Sequence, residues 1–256
     1  MKGKLFYIKP LKIILVVLAF QFQNLAAQVP FAFRKSEIDS NKIYNDTTFK
    51  KLQRFEREIK KFDNEAKLTE QVIHGVLFLG SSSFRLWKTL AQDFSPNPIV
   101  NRGFGGATIP EILHYFDRIS AKCKPSAIAV YVGENDLAFD SAKVSQTLIN
   151  FKRLMNAIFE KFPKTQIYVL SIKPSPKRWN FDLRFMDFND QINRIAKQQK
   201  YMTYVDIRTS MLSNGEVRRD IFQPDSLHLN DEGYRIWTKV LRNEFKKSGF
   251  KFDDSE

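Results

Sequence analysis

"VIHGVLFLGSSSFRLW", residues 72–87, holds two patterns back to back. Val72 to Leu79 is almost continuously apolar, as a strand covered on both faces requires. The run stops at Gly80, and from there Phe84, Trp87 and Leu90 recur at helical spacing. Between them stand Ser81, Ser82 and Ser83, three hydroxyls where one serine would cap the helix adequately. The stretch therefore reads as a buried strand handing over to a helix through a serine-rich turn.

The same alternation continues along the chain. Ile99 to Asn101, Ala127 to Val132, Gln166 to Ile172 and Met202 to Ile207 are further candidate strands. Helical spacing links them: Ile109, Ile112, Leu113, Phe116 and Ile119; Val144, Leu148, Met155 and Phe159; Phe188, Ile192 and Ile195. Thr108, Pro110 and Glu111 predict a capping box with proline in the first turn. Strand and helix in alternation predict an α/β fold, a flavodoxin-like three-layer sandwich with an about five-stranded parallel sheet and helices on both faces.

The chain has 256 residues, 43% of them hydrophobic and 27% charged, enough for one good-sized core. Lys2, Lys4, Lys9 and Lys12, the apolar stretch Ile13 to Phe20 and the small residues ending at Ala27 read as a signal peptide over 1–27. The apolar part is too short to span a bilayer. Export to the bacterial periplasm or the extracellular space is expected, and losing four lysines with that segment lowers the net charge from +13 to +9. Residues 28–68 form a leader, exposed to about residue 45, and an amphipathic helix from Thr47 to Leu68. The main domain covers 69–248, with a tail over 249–256. The basic residues are scattered among acids, which predicts solvated helix faces and no nucleic-acid partner. Cys123, the single cysteine, excludes an internal disulfide and a cysteine-based metal site, and reads as a small buried residue at a helix end.

In an open parallel sheet the carboxyl ends of the strands share one edge, where ligands bind. Ser81–Ser83, "NRGFGG", "VGEND" and "PDSLHLNDEGY" all fall there. A serine at such a turn can act as a nucleophile if a base takes its proton and a third group orients the base. Of the three histidines, His74 begins a candidate strand at the opposite edge and His114 lies within a helix. His228 stands in a loop before the helix opened by Asn230, and Asp225 precedes it by three residues. Taken alone, Asp225 and His228 read first as a plain turn and helix entry.

As an ordered set, the four segments resemble the SGNH hydrolases, also called GDSL-type esterases and lipases, over roughly residues 72 to 246. The resemblance implies Ser82 as nucleophile, Asp225 as orienting acid and His228 as general base. It also implies an oxyanion site from the N–H groups of Ser82 and Gly106 and the side-chain amide of Asn135. Where the motif's name has aspartate this chain has Ser81, which alters local hydrogen bonding and retains the reactive serine; Ser83 is then expected to cap or begin the helix. No metal or cofactor is implied, and no dinucleotide or Walker motif is present.

Other residues take plainer roles. Trp87 and Trp237 read as core, and Glu134 and Asp136 as groups shaping the loop around Asn135. "KPSPKRW", Lys173 to Trp179, is either a pocket wall or a rigid loop. The function these readings imply is a secreted serine ester hydrolase that removes short acyl groups, acetyl first among them, from glycan or other small-molecule esters. A lysophospholipase or lipase with a long acyl groove is the alternative of the same chemistry, and a catalytically silent binding protein that of another class.

Overall fold

Successive residues of a strand face opposite ways, so an uninterrupted apolar run must be covered twice. In β1 (Val76–Gly80) Leu77 and Leu79 are buried in one apolar cluster and Val76 and Phe78 in another. The computed structural model of the protein describes residues 53–68 and 72–250. The expected signal segment, the leader and the last six residues of the tail lie outside them.

β2 (Ile99–Gly103), β3 (Ala127–Tyr131), β4 (Gln166–Leu170) and β5 (Met202–Val205) complete a five-stranded sheet in the order β2-β1-β3-β4-β5. Every pairing is parallel. The helices used below are α1 (Glu56–Leu68), α2 (Ser82–Arg85), α3 (Ile109–Ile119), α4 (Glu134–Leu137), α5 (Val144–Lys161), α6 (Asp182–Lys197) and α7 (Asp231–Lys247). Residues of α1, α3, α5 and α6 fill the first cluster, and α2 and α7 supply the second. This is the expected three-layer α/β sandwich. Its strand order is the flavodoxin-like one, whose connections diverge at β1 and β3 and open a crevice at their carboxyl ends.

Local chemistry fixes where the elements begin. Glu111 accepts a hydrogen bond from the Thr108 backbone N–H at 2.9 Å, the capping interaction expected at the start of α3. The Asn230 side chain accepts from Gly233 N at 3.1 Å and caps α7. Trp87 and Trp237 are buried with their ring centroids 6.0 Å apart, so both belong to the core.

Three expectations need correction. The strand expected over Val72 to Leu79 is broken: Val72–Ile73 pairs with Cys123–Lys124, and β1 starts only at Val76. His74 adopts a left-handed φ of 61°, and a Cβ on Gly75 would lie 2.3 Å from the Pro98 carbonyl oxygen, so the chain turns there and presses onto its neighbour. Cys123 lies in that short strand and not at a helix end, and burial pushes its thiol up. In the N-terminal helix, regular α-helix begins at Glu56 after a 3-10 turn at Gln53–Phe55, and residues 47–52 fall outside the described part.

α1 and the 3-10 turn ahead of it join the first cluster through Ile59 and Phe55, both buried, and burying side chains of that size contributes about 1.5–3 kcal/mol each. Arg118 of α3 bonds Glu56 at 2.8 Å and Asp63 at 2.5 Å. These pairs are partly exposed, so they set orientation more than stability.

Candidate active site

Short α2 begins at the carboxyl end of β1, with Ser81 in the N-cap position and Ser82 as its first helical residue. Ser81 O accepts from the backbone N–H of Phe84 and of Arg85, which holds the turn. Ser83, expected to cap or begin the helix, is instead its second residue, and its carbonyl accepts from the Tyr234 hydroxyl at 2.8 Å. Ser81 and Ser83 are both buried, 3% exposed, whereas Ser82 is half-buried and opens onto the cleft. As the first residue of a helix, Ser82 has no intrahelical acceptor for its N–H.

The loop before α7 approaches from the other side. Asp225 Oδ1 accepts from the backbone N–H of Leu227 at 3.0 Å and of His228 at 2.9 Å, closing a tight turn in which Ser226 takes a φ of 57°. The turn aims the imidazole. His228 Nδ1 lies 2.5 Å from Asp225 Oδ2, and His228 Nε2 lies 3.0 Å from Ser82 Oγ, 146 residues away in sequence. A carboxylate only accepts, so Nδ1 carries the proton and Nε2 is free to accept from the serine hydroxyl. Burial pushes the Asp225 carboxyl up, but the His228 and Leu227 N–H groups and the imidazole outweigh it and hold it down at about 2. Asp225 is therefore a charged acceptor throughout the neutral range.

Gly106 and Asn135 line the same cleft, about 550 Å³ in volume, with Ser82 and His228. Gly106 has a φ of 74°, which glycine adopts without strain. Asn135 lies in α4, just after β3, and is held at both ends of its amide. Its Nδ2 donates to Ala107 O at 2.9 Å, and its Oδ1 accepts from Arg178 Nη2 at 3.1 Å. One N–H of Nδ2 is left for another acceptor.

Behind Asn135 is a buried ionic group that reading the sequence missed. The Glu134 carboxylate accepts from Lys173 Nζ at 2.7 Å on both oxygens and from the Tyr131 hydroxyl at 2.6 Å, and it pairs with Arg178 at 3.1 Å. Burial alone would push Glu134 up; Lys173, Arg178 and Tyr131 hold it below the usual carboxylate range. Glu134 thus anchors the arginine that orients Asn135, beyond shaping a loop. The "KPSPKRW" segment contributes to the pocket wall: Arg178 lines the cleft, and Lys173 is buried beneath the site. The signal was a glutamate beside the asparagine with two cations on the next active-edge loop.

Asp136 turns the other way and accepts from Ile109 N at 3.0 Å, tying α4 to the start of α3. Burial pushes its carboxyl up to about 7 against the pull of that N–H. Arg54, just ahead of α1, binds Glu111 and donates to Gly106 O at 2.9 Å, so the N-terminal segment reaches the loop carrying Gly106. Of the remaining histidines, His74 lies in the break before β1 and His114 in α3, neither among the residues lining the cleft.

A second cavity of about 730 Å³ adjoins the first across Gly106, Asn135 and Arg178. Its walls combine hydrogen-bonding side chains, including Thr108, Ser141, Gln146 and Asn150, with apolar surface to which Pro110, Ala142 and the one aromatic ring, Phe139, contribute. Among the described residues no cluster of side chains suits a metal ion, and no helix is long and apolar enough to cross a membrane.

Residues 72–236 match the family model described as "GDSL-like Lipase/Acylhydrolase family". A GDSL-like lipase from Bacteroides thetaiotaomicron superposes with a TM-score of 0.64 at 20% identity, covering 74% of this chain and 98% of that one. An acetyl-xylooligosaccharide esterase from Geobacillus Stearmophilus gives 0.55 at 16% identity, over 73% of this chain and 100% of that one. Among curated proteins, N-acylneuraminate cytidylyltransferase of Escherichia coli O18:K1:H7 is 23% identical over 183 residues, 71% of this chain. The chain spans only 42% of the length of that relative.

Proposed function

The chain belongs to the GDSL-like lipase/acylhydrolase family of carboxylic ester hydrolases, and from that premise we propose that it is an exported serine esterase releasing short acyl groups from carbohydrate or other small esters. The observation that carries the serine mechanism is the unbroken chain of hydrogen bonds from Ser82 through His228 to Asp225, in a cleft shared with Gly106 and Asn135. Ser82 Oγ attacks the ester carbonyl while His228 Nε2 takes its proton; Asp225 holds the ring and stabilises the imidazolium. The carbonyl oxygen, now negative, is met by the N–H groups of Ser82 and Gly106 and the free amide N–H of Asn135. The imidazolium returns the proton to the departing alcohol. Water, deprotonated by the same imidazole, then attacks the acyl-serine, the acid leaves, and Ser82 regains its hydrogen.

Two features support small, polar substrates. The loops "GSSSF", "GFGGA", "GENDLAF" and "KPSPKRW" are short, and the adjoining cavity includes the hydrogen-bonding side chains of Thr108, Ser141, Gln146 and Asn150. The acetyl-xylooligosaccharide esterase indicates that the same framework can serve acetylated sugars. Aryl acetate and butyrate are therefore expected to be cleaved with a higher kcat/KM than octanoate and longer esters. In a true lipase each buried methylene would add about 0.8 kcal/mol, and kcat/KM would climb along the series. A steady rise through decanoate would sink the short-acyl reading.

A second reading, a lysophospholipase, is favoured by one observation. Phe139, Trp179, Leu183 and Met186 are the exposed large apolar residues among those described, and Phe139 borders the larger cavity. The acyl series decides between the two. For export, the mature chain recovered from its host is expected to begin near Gln28 outside the cytoplasm; an intact Met1 on a cytoplasmic protein would overturn it.

A further inference from the structure

The cleft that holds Ser82 is unevenly charged. Lys61, Arg85 and Arg178 line it with Glu58 as the only carboxylate. Arg178 is paired with Glu134, but Lys61 and Arg85 have no ion-pair partner among the described residues. Arg85 is also positioned: a Cβ on Gly105 would lie 3.0 Å from its Nε and 3.2 Å from its Nη2, so the guanidinium lies against the bare backbone of the loop leading to Gly106. It sits one helical turn after Ser82, and Lys61 comes from α1, outside the segment that matches the family.

We infer that the substrate's alcohol half bears an anionic group, a carboxylate or phosphate, held by Arg85 and Lys61. The inference rests on the serine-esterase reading of this cleft. His228 must hand its proton to the departing alcohol, so the alcohol oxygen lies in the cleft that contains His228, and Arg85 and Lys61 line that same cleft. A guanidinium binds such oxygens through two parallel N–H groups, and an ammonium adds a point charge. Positive charge near Ser82 would also favour the oxyanion of any ester. That effect is common to neutral and anionic substrates and cancels in their ratio.

The test pairs 4-acetoxyphenylacetate with its methyl ester: both release acetate from nearly the same phenol and differ by one charge remote from the ester. With each rate divided by its hydroxide-catalysed rate, kcat/KM is expected to be about tenfold higher for the anion, and the advantage to shrink in about 1 M salt, where screening acts over about 3 Å. Arg85→Gln combined with Lys61→Gln should bring the ratio towards one, and Arg85→Lys should keep part of it. A ratio near one, or a preference that survives the double substitution, overturns the inference while Ser82-dependent cleavage of the methyl ester leaves the esterase reading standing. If neither ester is cleaved, the esterase reading fails and this inference with it.

Discussion

Ser82→Ala is expected to lower kcat by about 10,000-fold or more and to abolish labelling by a serine-reactive phosphonate, since removing the nucleophile of such a triad leaves only what binding and the oxyanion site contribute. The neighbouring hydroxyls do not compensate. Ser81 and Ser83 are buried at 3% exposure, whereas Ser82 Oγ lies 3.0 Å from His228 Nε2. The substitution removes a half-buried hydroxyl and leaves the backbone of α2 intact, so the thermal midpoint should stay close to that of the parent protein. Mass spectrometry of the labelled peptide is the decisive measurement. A phosphonate on Ser81 or Ser83, or undiminished hydrolysis by Ser82→Ala, would contradict the assignment.

Asn135→Ala is expected to reduce kcat by about 100-fold or more with a smaller change in KM, because the amide's bond to the carbonyl oxygen strengthens as negative charge develops there. The amide is pre-set for this by the Ala107 carbonyl on one side and Arg178 on the other, so little reorganisation is needed at the moment of attack. Asn135→Asp should be at least as damaging. It exchanges the donor for an acceptor and places a charge beside Glu134, facing the developing oxyanion. Single-turnover kinetics on an activated acetate ester separate the chemical step from binding. Full activity of Asn135→Ala would remove this residue from the mechanism.

Much of this organisation is local and can be read along the chain. The apolar run of β1 declares a strand covered on both faces, the three-to-four spacing from Ile109 to Ile119 declares a helix, and Thr108 with Glu111 marks where it starts. Parallel strands then bring Ser82, Gly106 and Asn135 to one edge by topology alone. Interruptions were harder to see: the break at His74 and Gly75 depends on how closely Pro98 approaches, and Pro98 lies on another segment. Ser83 departs from expectation for a related reason, since three adjacent serines look alike until the first turn of α2 makes one a cap and the next the start of the helix.

The sequence by itself determined the α/β alternation and the strand-edge loops, because these depend on periodicity and on spacing within a few positions; the roles expected of Ser82, His228, Asp225 and Asn135 came from the resemblance that those loops, taken as an ordered set, bear to a known family. Tertiary structure alone decided which of those groups touch and what supports them. Ser82 meets His228 across 146 residues, Glu134 takes Lys173 from 39 residues away, and Arg54 reaches Gly106 from 52 residues before it. A charged side chain carries no mark of its partner: its long stem can meet any opposite charge or remain solvated, and the choice depends on desolvation and geometry that exist only once the sheet and helices have packed. For that reason the positioning of Asn135 by Arg178, and the placing of Arg85 and Lys61 beside Ser82 with no ion-pair partner among the described residues, became visible only in the folded chain.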